Sequence, residues 1–83
     1  MNGKILLLAF GGTKQILHAS ELHFPLEAPS SVADLLDRIC HSYPALARQQ
    51  RSLRLAVNGA YAQPGDQVTP GDEVALIPPV AGG

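Results

Sequence analysis

The chain has 83 residues, 46% of them hydrophobic and 16% charged, with a net charge of −1. That describes one domain near the lower size limit for a single apolar core, too apolar for disorder and too interrupted by Gly and Pro for a coiled coil. Scattered Lys and Arg with only two Tyr, two Phe and no Trp argue against nucleic acid as a ligand, and the single Cys40 excludes an internal disulfide and fits a reducing cytoplasm.

Lys4 to Phe10, KILLLAF, is short, continuous and apolar, and Gly11-Gly12 punctuates its end, which predicts a central strand. The run is too short for a signal peptide and lacks a small-x-small cleavage site behind it. No stretch approaches the roughly 20 apolar residues that cross a bilayer, so no membrane is expected. GGTKQILH reads as a loop longer than a tight hairpin. In ASELHFPLEA, Leu22, Phe24 and Leu26 alternate with Glu21, His23 and Pro25, the pattern of a half-buried strand near a sheet edge, where a proline is tolerated.

PSSVADLLDRICHSYP carries the clearest helix, because Val32, Leu35, Leu36, Ile39 and Cys40 fall on one face. Ser31 with Asp34 predicts a capping box, and Pro44 predicts a stop near Ser42. ALARQQRS is long enough for a further helical turn. Leu53 to Val57 alternates as a third strand and ends on Asn58-Gly59, a strong turn dipeptide. The near repeat Pro64-Gly65-Asp66-Gln67-Val68 and Pro70-Gly71-Asp72-Glu73-Val74 predicts two consecutive turns, of the type II that Pro-Gly suits. EVALIPP is the last strand, closed by prolines that cannot donate to a ladder.

These pieces predict an α+β chain in which a mixed sheet, with its first and last strands parallel neighbours in the middle, carries one main helix across one face. That is the β-grasp, or ubiquitin-like, architecture, expected over residues 1–79 with a flexible tail at 80–83. One helix covers one face only, yet alternation makes both faces apolar: Ile5, Leu7 and Ala9 against Leu6, Leu8 and Phe10, and Val74 and Leu76 against Ala75 and Ile77. Unless connecting loops fold over it, the second face is a partner surface, expected to include Leu8, Tyr61 and Ile77.

Chemistry within the domain is poorly supported. His18, His23 and His41 have no metal spacing, and one Cys gives no zinc set. FGGTK lacks the spacing of a phosphate loop. Cys40 lies in the apolar stripe of the helix, where a thiol is inert. Neither a cofactor nor a metal is expected on this chain.

The tail is more informative. A terminal α-carboxylate, with a pKa of about 3.3 to 3.7, is an anion at neutral pH and reacts as an electrophile only after activation. Gly82 and Gly83 lack Cβ atoms, so Val80, Ala81, Gly82 and Gly83 form a finger narrow enough at its tip to thread a tight channel. Pro78 and Pro79 stiffen its base, lower the entropy lost on insertion and aim it away from the sheet.

In ILLLAF, SVADLLDRI, LAVNG and above all PGDEVALIPPVAGG, Pro70 to Gly83, the sequence resembles the small subunits of molybdopterin synthase, within the family of prokaryotic ubiquitin-like sulfur carriers. The similarity runs over nearly the whole chain. It departs where such subunits tend to carry an Arg-Glu containing helical turn after the first strand, since this chain has GGTKQIL. The resemblance implies that Gly83 is adenylated by an E1-like adenylyltransferase using ATP and Mg, then converted to a thiocarboxylate by a sulfur donor such as a cysteine desulfurase or rhodanese. It implies insertion of the tail into the large synthase subunit, in a heterotetramer, with transfer of sulfur to cyclic pyranopterin monophosphate. Pro78 and Pro79 then join the partner-docking residues, and the catalytic groups belong to the large subunit. Sulfur delivery to cysteine, thiamine thiazole or tRNA, a ubiquitin-like protein modifier, and an interaction module with an inert tail are the competing readings.

Overall fold

The computed structural model describes residues 3–79. Its strands are β1 (Lys4–Ala9), β2 (Glu21–Pro25), β3 (Ser30–Ser31), β4 (Arg54–Val57), β5 (Ala60–Tyr61), β6 (Gln67–Val68) and β7 (Glu73–Ile77). Helices α1 (Gly12–Leu17) and α2 (Val32–Ser42) and a 3₁₀ helix (Pro44–Gln49) lie between them. Five strands form one sheet in the order β2-β1-β7-β4-β5, and β3 with β6 makes a separate two-stranded ribbon. β1 and β7 are parallel at the centre; the other pairings are antiparallel. This is the β-grasp arrangement read from the sequence.

The alternation of the central strands decides what is buried. Ile5, Leu7 and Ala9 of β1, Leu55 of β4 and Val74 and Leu76 of β7 point to one face, where Val32, Leu35, Ile39 and Cys40 of α2 meet them. Leu46 of the 3₁₀ helix and Leu17 of α1 close the ends of this core. Each fully buried Leu or Ile contributes about 1.5–3 kcal/mol, so this single layer supplies most of the stability. α2 starts where Ser31 Oγ accepts the Asp34 N–H at 3.1 Å, and it ends at Ser42, two residues before Pro44. No helix among the described residues is long and apolar enough to cross a membrane.

Three local expectations are corrected. GGTKQIL is a short helix rather than a loop, because Thr13, Ile16 and Leu17 share one face and Thr13 and Leu17 are buried. The Pro-Gly repeat makes two turns, but only Gly71 has a positive φ, +98°, as a type II turn requires, whereas Gly65 does not. Both turns are closed the same way: the Asp66 N–H donates to Gln63 O and the Asp72 N–H to Thr69 O, each at 3.0 Å, while each aspartate Oδ2 accepts the N–H of that first residue at 2.8 Å. Gln67–Val68, read as turn, instead pairs with Ser30–Ser31 ahead of α2, a ribbon of two residues per strand that is too short to show periodicity.

Candidate functional site

The last described strand, β7, lies at the centre of the sheet. β7 is flanked by β1 as far as Leu76 and by β4 as far as Ile77, which lies opposite Arg54. Pro78 and Pro79 follow at once and, having no N–H, cannot extend the ladder. Pro78 is half-buried and Pro79 exposed. Val80, Ala81, Gly82 and Gly83, the residues expected to thread into a partner, lie outside the described residues.

The face opposite α2 is apolar, and its residues fall into register. Across the sheet one row runs Glu21, Leu8, Ala75, Ala56 and Tyr61, each the pairing partner of the next. Leu8 and Tyr61 are therefore about 14 Å apart, three strand spacings of about 4.8 Å, with two alanines between them as a shallow floor. Ile77 stands two residues further along β7, on the same side as Ala75. Leu8 and Ile77 are half-buried, and Tyr61 is 74% exposed. Connecting loops do not cover Tyr61, and the apolar strip is rimmed by Lys4, Glu21, His23, Arg54 and Glu73. The structure brings Leu8, Tyr61 and Ile77 to the side of the sheet away from α2, and Pro78 follows Ile77 directly.

Other parts of the domain offer less. Cys40 is buried against the core, and burial pushes its thiol pKa up, with the Asp37 carboxylate adding to the effect. A thiol held neutral in this way is a poor nucleophile. A groove of about 1030 Å³ runs between α2, the 3₁₀ helix and the β4–β5 edge, but its one carboxylate, Asp37, accepts a hydrogen bond from Gln50 at 2.6 Å. No group of three or more His, Cys, Asp or Glu side chains among the described residues could hold a metal ion.

One feature of the tail root was not read from the sequence. Gly11 has φ +56° and ψ −131°, a glycine conformation, and a methyl group added there would touch Pro78 Cγ at 3.5 Å. Gly11 therefore stands beside Pro78, the first residue after β7, with space between them for one methyl group. The spacing of Thr13, Ile16 and Leu17 was the available signal, obscured by the two glycines before it.

Known proteins resemble the chain over nearly its whole length. The model of the ThiS family matches residues 7–83. A molybdopterin synthase sulfur carrier subunit from Chlamydomonas reinhardtii is 34% identical over 82 residues, spanning 96% of this chain and 99% of that protein. The protein of the same name from Mycobacterium tuberculosis is 31% identical over 81 residues, spanning 96% and 98%. Among solved structures, SAMP1 from Haloferax volcanii, a small archaeal modifier protein, superposes with a TM-score of 0.78 at 26% identity, over 98% of this chain and 100% of that one.

Proposed function

The chain belongs to the ThiS family, and we propose that it serves as the sulfur carrier subunit of a molybdopterin synthase. The observation that carries this reading is similarity over nearly the full length of both chains to relatives bearing that name. The fold supports it, because β7, the last described strand, lies at the centre of the sheet and runs directly into Pro78-Pro79, ahead of the terminal glycines in the sequence.

The chemistry follows from the carboxylate of Gly83. Its oxygen attacks the α-phosphate of ATP on an E1-like adenylyltransferase, pyrophosphate leaves, and the carbonyl carbon gains AMP as a leaving group. The outer sulfur of a cysteine persulfide on a desulfurase or rhodanese displaces AMP, and a thiol that resolves the acyl disulfide leaves a thiocarboxylate. Val80, Ala81 and Gly82 then pass with it into the large subunit, while Leu8, Tyr61, Ile77, Pro78 and Pro79 hold the domain against that subunit. The sulfur goes to cyclic pyranopterin monophosphate, and the chain is a co-substrate in a heterotetramer, acting in the cytoplasm without a bound cofactor or metal.

Likeness to SAMP1 favours a second reading, a protein modifier joined to lysines through the same activated glycine. Intact-mass analysis separates the two. With the activating enzyme, MgATP and a persulfide donor, the carrier reading expects one sulfur in place of one oxygen at Gly83. A ladder of lysine conjugates in native cells supports the modifier, and an unmodified mass with every component present removes the carrier reading.

A further inference from the structure

We propose that the outer edge of β5 and the groove beside it form a second docking surface, which takes an extended segment of a partner protein with acidic and apolar side chains along one side. The inference goes beyond the proposed function and does not depend on it.

The open edge follows from the register. The Asn58 N–H donates to Glu73 O at 2.8 Å and the Ala62 N–H to Leu55 O at 2.9 Å. Main-chain groups alternate in direction along β4, so Leu55 and Val57 turn theirs to β5 and Ala56 turns its own to β7. Tyr61, opposite Ala56, therefore points its N–H and C=O away from the sheet. An antiparallel strand laid along β5 would exchange both bonds with it. The other edge of the sheet is blocked, because Pro25 in β2 has no N–H and its carbonyl already accepts Arg38 Nη2 at 2.9 Å. No proline interrupts Asn58 to Gln63.

The groove gives that edge a chemical preference. It encloses about 1030 Å³ over a floor of Leu36, Leu53, Leu55 and Ala62, and Arg51 and Arg54 stand exposed on its wall. Arg54 Nη1 spends its bonds on main-chain oxygens, Arg51 O at 3.4 Å and Leu53 O at 3.3 Å, and the one carboxylate of the lining, Asp37, accepts from Gln50. The imbalance extends along the chain: between Asp37 and Asp66 there is no acidic residue, yet four of the six cations, Arg38, Arg48, Arg51 and Arg54, lie there. Two guanidinium groups beside an apolar floor complement carboxylates that flank an aliphatic side chain.

Edge and groove select the same ligand. In an added strand, the residue opposite Tyr61 directs its side chain to the side that Tyr61 occupies. The residues before and after it direct theirs over Leu55 and Ala62, into the groove. Main-chain bonds then hold the segment, and the alternate side chains decide which segment is held. Tyr61 and Arg54 also border the apolar face opposite α2, so the two surfaces are continuous around β5. A protein seated on that face has the edge within reach.

The test titrates the full-length chain with acetyl-Thr-Glu-Thr-Leu-Thr-Glu-Thr-amide, followed by amide NMR shifts and by hydrogen exchange at Tyr61. Shifts are expected at Leu36, Arg51, Tyr61 and Ala62, with Tyr61 exchange slowed tenfold or more at saturation. Replacing both glutamates by lysine should weaken binding tenfold or more, and N-methylation of the two threonines beside the leucine fivefold or more. The double variant Arg51→Glu, Arg54→Glu should reverse the preference and take the lysine peptide. Absence of shifts at about 2 mM acidic peptide overturns the proposal, as do equal affinities for the two charge forms. Unchanged Tyr61 exchange in the bound state, or shifts confined to Leu8 and Ile77, overturns it as well. Tyr61 protection that rises with protein concentration before any peptide is added would assign the edge to a second copy of this chain and overturn it too. The peptides on the wild-type chain decide the matter even if the double variant does not fold.

Discussion

Asn58 and Glu73 bond each other twice: the Asn58 N–H donates to Glu73 O at 2.8 Å, and Asn58 Oδ1 accepts the Glu73 N–H at 3.0 Å. The side chain thereby extends the β4–β7 ladder one step past Val57 and Val74, and Asn58 Nδ2 also donates to Asp72 Oδ1 at 3.1 Å. Asn58 holds φ at +51°, a conformation asparagine tolerates and alanine resists. Asn58→Ala should therefore cost about 1–2 kcal/mol, and Asn58→Gly less by about 0.5–1 kcal/mol because glycine removes the strain but not the lost bonds. Urea denaturation of the three proteins measures this, and equal midpoints for all three would show that the turn contributes nothing.

The apolar row predicts a separation between binding and folding. Leu8 and Ile77 are half-buried on the face away from α2, so a carboxylate there meets water in the free protein and an apolar partner in the complex. Leu8→Asp or Ile77→Asp should weaken binding to the large subunit by about 2 kcal/mol or more, roughly thirtyfold, whereas Lys4→Ala at the rim should change it little. Isothermal calorimetry with the isolated subunits decides the point. Unchanged affinity for both aspartate variants would remove the face from the interface.

Much of this was legible in the sequence because the decisive elements are periodic. The stripe of Val32, Leu35, Ile39 and Cys40 gave the helix, and the two-faced apolarity of β1 and β7 gave both the core and the exposed row containing Leu8. The parallel pairing of the first and last strands followed from the order of the elements and the single helix available to cover them. What escaped is too short to establish a period: the six residues of α1, whose start has no side-chain cap, and the β3–β6 ribbon of two residues per strand. The approach of Gly11 to Pro78 joins residues 67 positions apart, and only the parallel register reveals it.

Cys40 supplies a pH-dependent check on the core. Its thiol pKa is raised above the ordinary 9.0, first by burial and then by Asp37. The folded state therefore prefers the neutral thiol, so its contribution is complete below the unfolded value and is lost as the pH rises through the folded one. Stability of the wild-type chain should fall above about pH 9 more steeply than that of Cys40→Val, which fills similar space without titrating. At pH 8 a disulfide reagent should react slowly with the native chain and rapidly in urea. Fast labelling of the folded protein would place the thiol at the surface and contradict the packing of α2.

The final residue allows the sharpest test, because removing it leaves the chemistry nominally intact. Without Gly83 the chain still ends in a glycine carboxylate, that of Gly82, with the same intrinsic reactivity. What changes is reach, by about 3.3–3.6 Å per residue of extended chain, and a carboxylate displaced that far from the α-phosphate of ATP is outside any near-attack geometry. Deleting Gly83, or adding one glycine after it, should therefore lower adenylation a hundredfold or more. The buried core of the described residues ends at Leu76, so the melting temperature should move by less than about 2 °C, the equivalent of less than about 0.5 kcal/mol for a domain of this size. Normal adenylation of either variant would show that position along the tail is not what the enzyme measures, and a large loss of thermal stability would show that the tail belongs to the fold after all.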